Sequence, residues 1–68
     1  MARLYYIAKD GMTINGYGIR KNEMVNFTHI NIEVGKRVLM TFTDMYNNTH
    51  AMDDNAFHSK FKFDRVLD

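Results

Sequence analysis

The stretch Ile30-Asn31-Ile32-Glu33-Val34-Gly35-Lys36-Arg37-Val38-Leu39-Met40-Thr41-Phe42-Thr43 decides the fold class of this chain. Apolar and polar residues alternate strictly over Ile30–Val34, and again over Val38–Thr43 apart from Leu39. A repeat of two puts every second side chain on one face of an extended chain, so both arms read as half-buried strands. Gly35 and Lys36 between them mark a hairpin. Its register is constrained. A two-residue loop would set Ile32 opposite Leu39 and leave Ile30, Ile32 and Val34 on the opposite face from Val38, Met40 and Phe42. A shift of one residue swaps faces, so the apolar sets align only through a three-residue connection or a bulge around Glu33–Arg37. The other solution is a sheet buried on both faces.

Working outward towards the N-terminus, Glu23-Met24-Val25-Asn26-Phe27-Thr28 reads as a strand with Val25 and Phe27 on one side. Its parity disagrees with Ile30 and Ile32, which predicts a bend or bulge at Thr28-His29. Leu4–Lys9, rich in Tyr and Ile, suits a first strand. Asp10-Gly11 and Asn15-Gly16 are tight-turn dipeptides, since each of these residues tolerates positive φ. Residues 12–14 and 17–20 then form short strand pieces about the second turn, or one irregular loop. On the C-terminal side, Lys60-Phe61-Lys62-Phe63-Asp64 alternates again, a last strand with Phe61 and Phe63 inward. Between them, Tyr46–Ser59 carries conflicting signals. Thr49 suits the cap of a short helix near residues 49–58, with Asp53 and Asp54 in or near its first turn, whereas Asn47, Asn48 and Asn55 favour a loop. The helical reading is preferred.

The expectation is a mainly β domain: a small antiparallel sheet, or an SH3/OB-like partly open barrel, of four to five strands with one short helix. Val34-Gly35-Lys36-Arg37-Val38-Leu39-Met40 resembles the glycine-led strand entry of small barrels of the SH3 or OB type, over those seven residues only. An edge strand of such a sheet can pair across a two-fold axis, so a homodimer is among the expected states.

Length and composition bound the function. Sixty-eight residues make one domain, 1–68, whose small core leaves it marginally stable. Disulfides and thiolate zinc sites are excluded because the chain has no cysteine. Nine basic residues against eight acidic ones give +1, too little for a strong field towards nucleic acid or membranes. That balance hides a segregation: residues 1–43 carry six basic and three acidic residues, and residues 44–59 carry three Asp and no Lys or Arg. The first ten residues hold too short an apolar run for a signal peptide, and nothing approaches a membrane span, so a cytoplasmic protein without membrane contact is expected. The sequons at Asn26 and Asn47 carry no weight in that compartment. Seven Asn beside many Lys, Ile, Tyr and Phe suggest an AT-rich gene of the kind found in many phages, where small proteins that disable a host factor are common.

His50, Asp53 or Asp54, and His58 fall at offsets of three, four and eight, roughly one face of a helix. Imidazole and carboxylate in that pattern suit zinc, nickel or ferrous iron, so His50, Asp54 and His58 form a metal-binding alternative. A polar, solvated loop explains the same residues more simply, and no metal or other cofactor is expected. Catalysis is not expected either. There is no cysteine nucleophile, and Ser59, the only serine, lacks a glycine elbow. Gly16-Tyr17-Gly18 is turn chemistry rather than a phosphate loop, since no Gly-Lys-Ser/Thr follows.

Two binding readings remain. Small barrels bind single-stranded nucleic acid with basic side chains around aromatic platforms, for which Tyr5, Tyr6, Lys60 and Lys62 are the candidates. Solvated outward-facing lysines beside Phe61 and Phe63 explain Lys60 and Lys62 equally well. Protein contact is preferred. Six methionines suit adaptable surfaces as well as core gaps, and an exposed cluster of Met with Tyr17 or Tyr46 would mark a partner surface. Tyr17, Arg20, Lys36 and Arg37, at the predicted loop tips, are the first contact candidates. The expected function is a small non-catalytic inhibitor or adaptor whose partner is another protein.

Overall fold

The computed structural model describes residues 2–33 and 37–68, with residues 31–33 and 37 described in backbone only. The element order is β1 (Arg3–Ala8), β2 (Met12–Ile14), β3 (Tyr17–Ile19), β4 (Met24–Glu33), β5 (Arg37–Thr43), β6 (Thr49–Asp53), α1 (Asp54–Lys60) and β7 (Phe61–Leu67). Five strands form an antiparallel sheet in the order β6-β5-β4-β1-β7, and β2 and β3 form a separate two-stranded ribbon. The sheet is open rather than a barrel. Helix α1 carries the chain from β6 across the sheet to β7, and these are the two opposite edges, so they do not meet to close a cylinder.

The deciding hairpin has the odd spacing its alternation requires. Glu33 pairs with Arg37, Ile32 with Val38 and Ile30 with Met40, which puts the two apolar sets in line. The connecting residues 34–36 lie outside the described residues. Upstream, the register shifts between Phe27 and His29, so a bulge at Thr28 reconciles Phe27 and Ile30 on one face. The Thr28 hydroxyl donates to the Thr41 carbonyl at 2.9 Å, satisfying an acceptor at the irregularity. Asn15 and Gly16 both have positive φ, 49° and 84°, as a two-residue hairpin turn between β2 and β3 demands. Asp10-Gly11 makes no such hairpin; it is where the chain leaves the sheet for the ribbon.

The helix begins later than expected. Thr49 is not its cap; it pairs with Thr43 in β6, and the helix occupies Asp54–Lys60 instead of the region from residue 49. Asp53 is the N-cap, its carboxylate accepting the Asn55 N–H at 3.1 Å. Pairing five residues of β6 with β5 satisfies more backbone groups than an extra helical turn would, and it leaves the next good capping residue to start the helix.

Phe57 on α1 and Phe42 and Phe61 on the sheet are fully buried, with Ala8, Ile19, Val25 and Met40 around them. The Phe57 ring lies 4.9 Å from both Tyr6 and Phe61 and 5.3 Å from Phe42, edge-on to Tyr6, stacked on Phe61 and tilted to Phe42. One face of the sheet is thus covered by α1 and the β2–β3 ribbon, which contributes Ile19. The opposite face carries Arg3, Tyr5, Met24, Asn26 and Thr43 around a shallow depression of about 280 Å³.

Candidate functional site

Three features of the surface carry chemistry: a buried acid–histidine pair, an uncovered apolar strip and the outer face of β1 and β7. The acid–histidine pair sits at the β5–β6 turn. Asp44 and His50 are both buried, and His50 Nε2 lies 2.9 Å from Asp44 Oδ2. The other carboxylate oxygen accepts the N–H groups of Tyr46 and Asn48, each at 2.9 Å. Asn47 closes the turn in the left-handed region with φ 68°, which an asparagine accepts more readily than most residues. Burial works to raise the Asp44 pKa. The hydrogen bonds from His50, Asn48 and Tyr46 outweigh it and hold the carboxyl below the usual carboxylate range. An ionised Asp44 only accepts, so Nε2 donates to it, and Nδ1 is buried without a partner. This pair is a structural clamp: it holds Met45 and Tyr46 in solvent on a rigid turn, and the exposed Tyr17 ring packs edge-on to His50 at 5.5 Å.

The apolar strip lies on the covered face of the sheet, beyond the reach of its cover. Leu4 pairs with Phe27 on one side and Val66 on the other, and Tyr6 pairs with Phe63. These side chains therefore share the face that holds Phe42, and Ile30 extends the row past the Thr28 bulge. Ile30, Phe63 and Val66 are 54%, 53% and 50% exposed, and Leu4 is 38% exposed. Seven helical residues span only about 10 Å, whereas a ten-residue strand such as β4 runs to roughly 33 Å. The cover is too short for the sheet. Isolated exposed apolar residues are ordinary, but four on one face of three adjacent strands are not. Sequence reasoning missed this row. Alternation put Phe63 on the correct face, but only Phe61 is buried, because α1 stops short of Phe63.

The residues singled out from sequence scatter. Tyr17 stands beside His50, Arg20 is exposed in the turn after β3, Arg37 opens β5 at the far end from the Asp44 turn, and Lys36 lies outside the described residues. Tyr17 and Arg37 therefore do not belong to one patch. The nucleic-acid candidates divide as well. Tyr5 pairs with Arg65 and Ile7 with Lys62, so Tyr5, Arg3, Lys62 and Arg65 share the outer face. Tyr6 faces the core, against Phe57 and Phe63, and Lys60 ends α1. Carboxylates are interspersed with these cations: Arg65 is tied to Asp64 at 2.6 Å, and Asp68 lies with Arg3 and Tyr5 around a second depression.

The metal alternative is not assembled. His50 turns to Asp44, Asp54 sits in the first turn of α1, and the ring of His58 packs near Tyr6 and Phe57. Among the described residues no three His, Asp or Glu side chains gather to hold a metal ion. Among the same residues no helix is long and apolar enough to cross a membrane. Comparison with protein-family models, with curated proteins and with solved structures returns no match to this chain.

Proposed function

We propose that this chain is a small non-catalytic binding protein that acts by protein–protein contact, as an inhibitor or an adaptor. The observation that carries the reading is the uncovered set of Leu4, Ile30, Phe63 and Val66 on one face of three adjacent strands of the sheet. Such a row is preorganised: its side chains already sit on rigid strands, so a partner that covers them orders little further chain. The near-neutral net charge of +1 supports protein over nucleic acid as the partner class, because polyanion binding needs an excess of basic charge.

The test compares the native chain with Phe63→Glu and Val66→Glu as baits in a nuclease-treated lysate. The expected result is a retained protein that survives nuclease and is weakened at least about tenfold by either substitution, a loss of about 1.4 kcal/mol. Retention that vanishes with nuclease, or that neither substitution alters, overturns the reading.

A further inference from the structure

The two free edges of the sheet are built differently, and the difference points to what one of them does. β7 is guarded in two ways. Its register against β1 shifts between Tyr5 and Tyr6, so a bulge interrupts its outer edge, and Lys62, Asp64 and Arg65 crowd that edge with charge. Bulges and charges of this kind are the usual means by which a sheet edge is kept from pairing with another chain. β6 has no bulge and less charge. Its five residues pair one for one with β5 without irregularity, and its one acidic residue, Asp53, stands at its very end, where it caps α1.

The hydrogen bond from the Asp44 N–H to the Asn48 carbonyl fixes the phase of the β5–β6 ladder. Alternation from that bonded pair makes Phe42–His50 and Met40–Met52 the next bonded pairs, and turns the N–H and C=O groups of Thr49 and Ala51 outward. Thr49 and Ala51 are both exposed, so nothing among the described residues covers them.

We infer that β6 is a self-association edge, at which a second copy of this chain adds its own β6 antiparallel about a two-fold axis through Ala51. In that register Ala51 meets Ala51 of the second copy, and the two exchange N–H···O=C bonds. His50 faces Met52, and Thr49 faces Asp53. No two like charges stand opposite, and the smallest side chain of the strand lies on the axis, where bulk would hold the backbones apart. Tyr17, packed edge-on to His50 and half exposed, stands beside this edge on the covered face. The product is a continuous ten-stranded sheet, with the apolar strips at its two far ends. This assembly stands apart from the proposed partner contact and does not depend on it.

Light scattering on the native chain from micromolar to millimolar concentration tests the inference. The expected mass rises with concentration from 8.0 kDa towards twice that value. Ala51→Lys, on an exposed position, sets two like charges on the axis and weakens association at least about tenfold with an unchanged circular dichroism spectrum. Amide exchange on the native chain gives an independent reading, in which the Thr49 and Ala51 amides slow as concentration rises. A monomer at millimolar concentration, a dimer that Ala51→Lys leaves intact, or Ala51 exchange independent of concentration overturns it.

Discussion

At the residue scale Asp44 makes more side-chain hydrogen bonds than any other polar group among the described residues. It orients the His50 imidazole and satisfies two turn amides, from a buried position. Its folded pKa lies below the ordinary value, so its contribution to stability is present above that value and is lost as pH falls through the folded pKa. Urea unfolding measured against pH is therefore expected to weaken in acid, below about pH 4. Asp44→Asn removes that part of the acid dependence and costs about 2–3 kcal/mol at neutral pH, because the bonds lost are charge-assisted. The Asn residues read as a mark of base composition also have a physical duty. Asn15, Asn22 and Asn47 all occupy the left-handed region, where asparagine is tolerated. Asn47→Gly is expected to be near neutral in thermal unfolding, and Asn47→Ala to cost about 1 kcal/mol.

The elements divide into those decided by near neighbours and those decided by distant ones. The odd register of the β4–β5 hairpin and the bulge at Thr28 were legible, because parity along a strand is a local property that a single miscounted residue would reverse. The Asn15-Gly16 turn was legible for the same reason, its positive φ being a demand on those two residues alone. The start of α1 was not. Thr49 and Asp53 are both good caps, and the choice rests on β5, which captures residues 49–53 as a strand. Nor does Thr-His-Ala-Met-Asp advertise a strand: His50 faces inward only because Asp44 waits for it, and no pattern of hydropathy encodes that. Asp53→Ala is expected to destabilise the chain by about 1 kcal/mol through loss of the Asn55 bond, measured by chemical denaturation.

At the scale of the whole molecule, a short helix and a short ribbon cover a longer sheet, and both the stability and the free surface follow from that mismatch. Phe57 is the only fully buried side chain of α1, and it touches rings from β1, β4, β5 and β7. Phe57→Ala is expected to cost about 3–5 kcal/mol, enough to unfold most of the population of a domain this small, as near-ultraviolet circular dichroism would record. The exposed strip was illegible in sequence because it is defined by where the cover ends rather than by the strip's own residues. The pairing of Arg3 with Leu67 has a further consequence, for the order in which the protein can be made. β1 is made well before β7, yet β7 is one of its two neighbours, and the aromatic cluster lacks Phe57 and Phe61 until residue 61 has emerged. A nascent chain can form the local β4–β5 hairpin early, but its apolar face stays bare until the last strand arrives. Folding is therefore governed by long-range closure and is expected to be slow for the domain's size, with its apolar face exposed to chaperones in the meantime.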